Sequence, residues 1–193
     1  MRTSRGVFLW SVLAVIGCSG PKPTPVELQA ELLPARVALV LTPAAESLLV
    51  GTTGRISARA FGRLGNEMPW TTSRQIESSD SSVLSVAPDG ALLARRVGFS
   101  RLRVSWIGRT SVSDSTTVGV GYRGVGTVRL IPVEGGCWVI ATDPLTALEV
   151  LELPAAFRVD GLRVRIVARP RASGSFCMVG TGVTLDSVVT ELP

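Results

Sequence analysis

Short runs of alternating apolar and polar residues recur along the chain from about residue 36, with turn residues between them. Val37–Leu41 opens the series, and Gly54–Phe61 alternates. Ser82–Val86 is followed by a Pro88-Asp89-Gly90 turn and then Ala91–Ala94. Arg101–Trp106 alternates strictly, and Ser115–Val120 closes the group. A period of two sends successive side chains to opposite faces of a half-buried strand. Turns at intervals of about 8 to 12 residues then predict an antiparallel β-sandwich over residues 36–120.

A second series occupies residues 125–193. Val125–Val133 and Cys137–Ala141 read as strands joined through Glu134-Gly135-Gly136, and Ala147–Leu151 reads as a third. Leu153–Phe157 reads as a short helical turn with Pro154 at its first position. Asp160-Gly161 turns the chain into the alternating run Leu162–Arg169, and Phe176–Val179 and Val183–Val189 finish it. Five or six strands in so short a stretch predict a small closed barrel, OB-like by strand count. The expected fold class is therefore all-β: an antiparallel β-sandwich followed by a small β-barrel.

The N-terminus breaks this pattern. Arg2 and Arg5 precede an apolar run over residues 6–16, which is shorter than the roughly 20 residues a membrane span needs. That layout predicts a secretory signal over residues 1–17. Val15-Ile16-Gly17-Cys18 resembles a lipobox, the processing site of bacterial lipoproteins. The resemblance implies lipidation of Cys18 and a membrane partner reached through that lipid. More than one acyl chain on Cys18 gives stable anchoring, because each buried methylene contributes about 0.8 kcal/mol. Ser19 rather than Asp after the Cys points to the outer membrane over the inner, where two membranes exist. Residues 18–35 read as a tether: alternate prolines in Pro21–Pro25 favour extended polyproline II, with a two-turn helix over residues 26–33 as the alternative.

Composition sharpens the picture mainly by exclusion. Hydrophobic residues make up 46% of the chain, enough for real cores, whereas aromatics at 5% argue against a stacking surface for sugars or bases. Removal of Arg2 and Arg5 with the signal takes two charges off a net +5, too modest an excess for a nucleic-acid binder. The chain has no His, which excludes Ser-His-Asp and Cys-His catalysis and His metal sites. Lys22 in the tether is the sole lysine, which argues against Schiff bases, Ser-Lys dyads and phosphate loops. No cofactor and no metal are expected.

The order of motifs in residues 36–120 resembles the group 2 bacterial Ig-like domain. The landmarks are Val40–Ala44 through Leu48-Leu-Val-Gly51, the strand Arg55–Ala60, the segment Ile76-Glu-Ser-Ser-Asp80-Ser-Ser-Val83, the turn Val86–Gly90 and the final strands from Gly98. Ile76 stands where the family places Trp, and Trp70 from the neighbouring stretch is expected to supply the missing core aromatic. The resemblance implies a sandwich that serves as a spacer or binder. The second half resembles small barrel modules of secreted bacterial lipoproteins, a resemblance that implies no activity.

With Cys18 assigned to lipid, Cys137 and Cys177 remain. Export into an oxidising compartment favours a disulfide between them; a reactive or metal-binding pair is the alternative. Carboxylate chemistry rests on Glu134, Asp143, Glu149, Glu152 and Asp160, which read more simply as turn residues or solvated strand positions. Enzyme activity is not expected. Two arginine rows, Arg101 with Arg103 and Arg163 with Arg165 and Arg169, fit either the solvent face of half-buried strands or a surface for anionic ligands. The leading expectation is a non-catalytic binding or adhesion module lipid-anchored at the cell envelope, with a glycan or protein partner and no nucleic acid. A structural stalk or assembly partner without its own ligand is the alternative, and a carboxylate-dependent hydrolase the third. A glycan binder is expected to expose Trp70, Trp106 or Trp138 together; a stalk is expected to bury them.

Overall fold

The computed structural model describes residues 34–42, 48–68, 74–106, 112–133, 135–143, 146–172, 175 and 177–191. The signal, Cys18, the tether up to residue 33, Trp70 and Glu134 lie outside the described residues. Strands are numbered in chain order. One sheet of the sandwich runs β1 (Arg36–Thr42), β3 (Thr53–Phe61), β7 (Ala91–Ala94), β6 (Leu84–Val86), with β4 (Glu67–Met68) paired to the far end of β3. The facing sheet holds β5 (Arg74–Ser78), β8 (Gly98–Trp106) and β9 (Val112–Ile131), with β2 (Leu48–Leu49) added to β9. The period-two pattern explains the layering. Val37, Ile56, Leu92, Leu102, Val104, Val118 and Val120 fill the space between the sheets, and their sequence neighbours face outward.

Ile76 packs against this core at the position the resemblance reserves for Trp. The serine-rich segment after it fixes how the chain crosses between sheets. Ser78 Oγ donates to Leu84 O (2.6 Å) and shares a hydrogen bond with the buried Ser100 Oγ (2.7 Å), which also accepts from the Asp80 N–H (3.1 Å). Asp80 Oδ1 accepts from the Ser82 hydroxyl and N–H. At the Pro88-Asp89-Gly90 turn only glycine fits. Gly90 has φ +88°, and a Cβ there would stand 2.3 Å from Ile56 O, while Gly90 O accepts from the Ile56 N–H (2.8 Å). Across the open edge, Asp114 Oδ2 accepts from the Leu39 N–H (2.9 Å), joining β1 of one sheet to β9 of the other.

The second core lies inside a ring of five strands: β9, β10 (Cys137–Asp143), β11 (Thr146–Val150), β13 (Thr181–Thr190), β12 (Arg163–Pro170) and back to β9. Val128, Ile140, Leu148, Val164, Ile166 and Val183 fill it, and Leu153, ahead of a 3-10 turn at Ala155–Phe157, is buried with them. Pro154 caps that turn rather than starting it. The chain is therefore an Ig-like sandwich followed by a barrel, stapled by a Cys137–Cys177 disulfide. Two pairings are parallel, β2 with β9 and β11 with β13, in addition to the antiparallel ladders that alternation predicts. Residues 177–180 form bends, not the strand expected at Phe176–Val179, and β13 starts at Thr181.

Both modules are built on β9. Its first half pairs with β8 from Val112 to Val120, and its second half pairs with β12 and β10 from Tyr122 to Ile131. Even-numbered positions face inward as far as Val128, so Val118 and Val120 enter one core and Val128 the other. Glycines let one strand do this. A Cβ at Gly126 would stand 2.4 Å from Ile140 Cγ2, and one at Gly121 would stand 2.6 Å from Ala168 O. Tyr122 turns back over Gly124 and its hydroxyl donates to Val125 O (3.0 Å). The modules also interlock, because Val97, in the turn before β8, is buried among the barrel residues.

Two predictions follow from β9. The full chain is expected to melt in one calorimetric transition. Gly121→Ala, by pushing β12 off β9, is expected to lower stability by about 1–3 kcal/mol and to split that transition in two; a single unshifted transition in the variant would show that the junction tolerates a side chain. The second concerns Tyr122, the sole tyrosine. Burial, and then the Asp143 carboxylate, raise its pKa above the ordinary phenol value. The folded state therefore holds its proton more tightly than the unfolded state. The stability this contributes is full below pH 10 and is lost as pH rises from there through the folded pKa. Tyrosinate absorbance reads this one residue, and a midpoint at the value of a free phenol would contradict its packing.

Candidate anion-binding face and the covered barrel wall

The arginine rows come from strand alternation. In β12, Val164, Ile166 and Ala168 enter the barrel core, which leaves Arg163, Arg165 and Arg169 exposed. In β8, Leu102 and Val104 enter the sandwich core, which leaves Arg101 and Arg103 exposed. The rows belong to different modules but flank the same face of one strand. Arg103 pairs with Ser115 and Arg101 with Thr117 in the first half of β9. Arg165 pairs with Val125 and Arg163 with Thr127 in the second half. These are odd-numbered, outward positions of β9. Its own Arg123 and Arg129 lie on that face and are exposed, and sequence reading passed over both. A hollow at the junction, lined by Phe99, Thr117, Gly119, Gly121, Arg169 and Pro170, connects the two halves of the face.

Several of these guanidinium groups already have acidic partners. Arg165 holds Glu191 in a two-pronged pair (2.9 and 3.1 Å), and Arg169 holds Asp186 in the same way (2.8 Å). Arg129 stands 4.0 Å from Asp160, whose other oxygen accepts from the Leu130 N–H. Arg103 donates to Ser113 Oγ (3.2 Å) and sits opposite Glu77. Among the described residues Arg123 and Arg163 carry no ion pair. Exposed pairs of this kind contribute at most about 1 kcal/mol each, so an incoming anion can exchange with them at small cost.

Trp106 and Trp138, the two described tryptophans, do not share a platform. Trp106 packs against the sandwich core and Trp138 against the barrel core. The carboxylates do not converge on a metal site either: among the described residues no group of three or more His, Cys, Asp or Glu gathers in one place.

Glu149 departs from the sequence reading. Alternation put it on the outer wall of the barrel, which reads as solvated, yet it is 2% exposed. The segment after β12 lies over it. Ser175 Oγ donates to Glu149 Oε2, and the Cys177 N–H donates to Oε1 (3.1 Å). Gly180 lies so close to β11 that a Cβ there would meet Ala147 O at 2.3 Å. The Cys137–Cys177 disulfide, with Cα atoms 6.3 Å apart, pins the same segment to the start of β10.

The disulfide closes a separation of 40 residues, worth about 4 kcal/mol by chain entropy. Denaturant unfolding of Cys137→Ser/Cys177→Ser is expected to show a loss of that order, and a loss below about 1 kcal/mol would remove the staple from the account of stability.

Neither a protein-family model nor a curated protein sequence matches the chain. Among solved structures, the chain is similar to domains 4 and 5 of the S-layer protein SbsC at 19% identity and a TM-score of 0.37, covering 73% of this chain and 70% of that one. A longer portion of the same S-layer protein matches at 18% identity and a TM-score of 0.37, covering 74% of this chain and 20% of that one.

Proposed function

We propose that this protein is a non-catalytic binding module of the bacterial cell envelope, which holds an anionic polymer along the outward face of β9. The observation that carries the reading is the register of that strand. It lines up Arg101, Arg103, Arg123, Arg129, Arg163, Arg165 and Arg169 beside hydroxyls of Ser115, Thr117 and Thr127. Guanidinium groups recognise carboxylate and phosphate in two-pronged geometry, and hydroxyls suit a sugar backbone. At about 3.3 Å per residue, the 20 residues of β9 offer roughly 65 Å of track. An acidic envelope glycan fits such a track better than a compact ligand does. Within the envelope, the lipobox-like Val15–Cys18 supports a lipid anchor, and the disulfide supports an oxidising compartment. The strand order of the ring, with β11 and β13 parallel, supports the OB-like reading of the barrel, and the Ser78–Val83 crossing supports the Ig-like resemblance of the sandwich.

A second reading, a stalk without a ligand, is favoured by the β9 strand running on through both modules and by Trp106 and Trp138, which pack against separate cores as a stalk is expected to have them. Co-sedimentation of the full chain with lipopolysaccharide and with an acidic polysaccharide separates the two. Binding is expected at low salt and is expected to fall steeply at high salt. Arg123→Ala/Arg163→Ala is expected to weaken it about tenfold or more with no change in the far-ultraviolet spectrum. Absence of binding to either polymer at low salt, or equal binding by the variant, would leave the stalk reading in possession.

A further inference from the structure

We propose that the hollow midway along the arginine row is a subsite for one sugar ring of the acidic polymer, with the apolar face of that ring laid on Phe99, an assignment that rests on reading β9 as an anion track and names the unit the track selects. The outward row of β8 runs Phe99, Arg101, Arg103, so its charge stops where the sandwich meets the barrel. Phe99 is registered to Gly119 of β9, and both residues of β9 that line the centre of the hollow, Gly119 and Gly121, lack a side chain. A Cβ at Gly119 would stand 3.2 Å from Phe99 Cε1 and 3.3 Å from Pro170 Cγ, and one at Gly121 would stand 3.2 Å from Leu49 Cδ2. Phe99 of β8, Pro170 of β12 and Leu49 of β2 thus close around a bare stretch of β9, and they make an apolar saddle in the middle of a charged row. An aromatic ring beside a strand glycine covers its backbone, and contact with Gly119 accounts for one edge of Phe99. The ring nonetheless stays 40% exposed, which leaves apolar surface for a ligand.

Size and charge select the occupant. The hollow holds about 210 Å³, less than the roughly 300–1,000 Å³ of a site for a drug-sized molecule. It therefore suits one unit of a chain that continues along the strand. The negative π face of an aromatic ring attracts either a cation or the C–H hydrogens of an apolar ring face. Arg169 lines the hollow, Arg101 stands opposite Thr117 at its rim, and Arg123 lies two residues beyond Gly121, so a cation is repelled. A pyranose unit bearing a carboxylate satisfies every wall. Its C–H face covers Phe99, its hydroxyls meet the exposed Thr117, and its carboxylate reaches a guanidinium group. The low aromatic content argues against stacking along the whole track, and a single phenylalanine serves a single ring.

The test measures the affinity of the full chain for polygalacturonate and for poly-glutamate, which carries carboxylates without sugar rings, over a range of salt. Polygalacturonate is expected to bind about fivefold tighter or more. That ratio is expected to persist as salt rises, because screening weakens the arginine contacts and not an apolar one. Phe99→Leu, which keeps an apolar cover over Gly119, is expected to cut the ratio at least threefold, and Phe99→Tyr, which keeps the ring, is expected to retain it. Equal affinity for the two polymers, both lost in Arg123→Ala/Arg163→Ala, would overturn the subsite and leave the anion track standing. A preference for polygalacturonate that Phe99→Leu does not reduce would overturn the subsite as well. Absence of binding to either polymer at low salt would overturn the track and the subsite together. The wild-type ratio and Phe99→Tyr decide the matter if Phe99→Leu does not fold.

Discussion

The architecture depends on the backbone ladder of one strand. β9 donates and accepts hydrogen bonds with β8 along its first half and with β12 and β10 along its second, and its even positions feed both cores. Val120 and Tyr122, two positions apart on β9, pack into different cores, and Val97 crosses from the turn before β8 into the barrel. Close packing transmits shifts because protein interiors have little free volume. The glycines at 119, 121, 124 and 126 make the arrangement sterically possible, since the strand must pass within contact distance of Ala168 O and the Ile140 side chain.

The same ladder creates the candidate binding surface. Arginines on β8 and β12 are far apart in sequence and belong to different modules, but registering both strands to β9 places them beside one outward face. Acidic residues at positions 160, 186 and 191 moderate the charge, so the surface is a track of exchangeable ion pairs rather than a bare positive field. That character suits weak, extended, salt-sensitive binding.

Much of the fold was legible because alternation is a direct consequence of strand geometry. Arg101–Trp106 and Arg163–Arg169 each declared their buried and exposed faces. The continuity of β9 was not read: the sandwich was closed at Val120 and the barrel opened at Val125, so one strand was divided between the tail of one module and the head of the next. With that division, Arg123 and Arg129 lost their association with the arginine rows. Glu149 was misjudged for a different reason. Periodicity tells which wall of a strand a residue occupies but not whether a distant segment covers that wall, and here Ser175 and Cys177 do so. Phe176–Val179 has the composition of a strand, but its described residues 177–179 form bends, with Cys177 in the disulfide and Met178 left-handed.

The shared strand also bears on how such a protein can be reassembled from parts. Tandem domains joined by a loop can be exchanged, duplicated or fused by cutting the gene at the linker. Here the boundary between the two cores falls between Val120 and Tyr122, inside a continuous hydrogen-bonded strand. A cut at that point leaves the sandwich with a strand ending at its last core residue, and the barrel with a first strand that has lost its lead-in and the contact to Val97. The heritable unit is the pair, and recombination that preserves folding must carry both modules together.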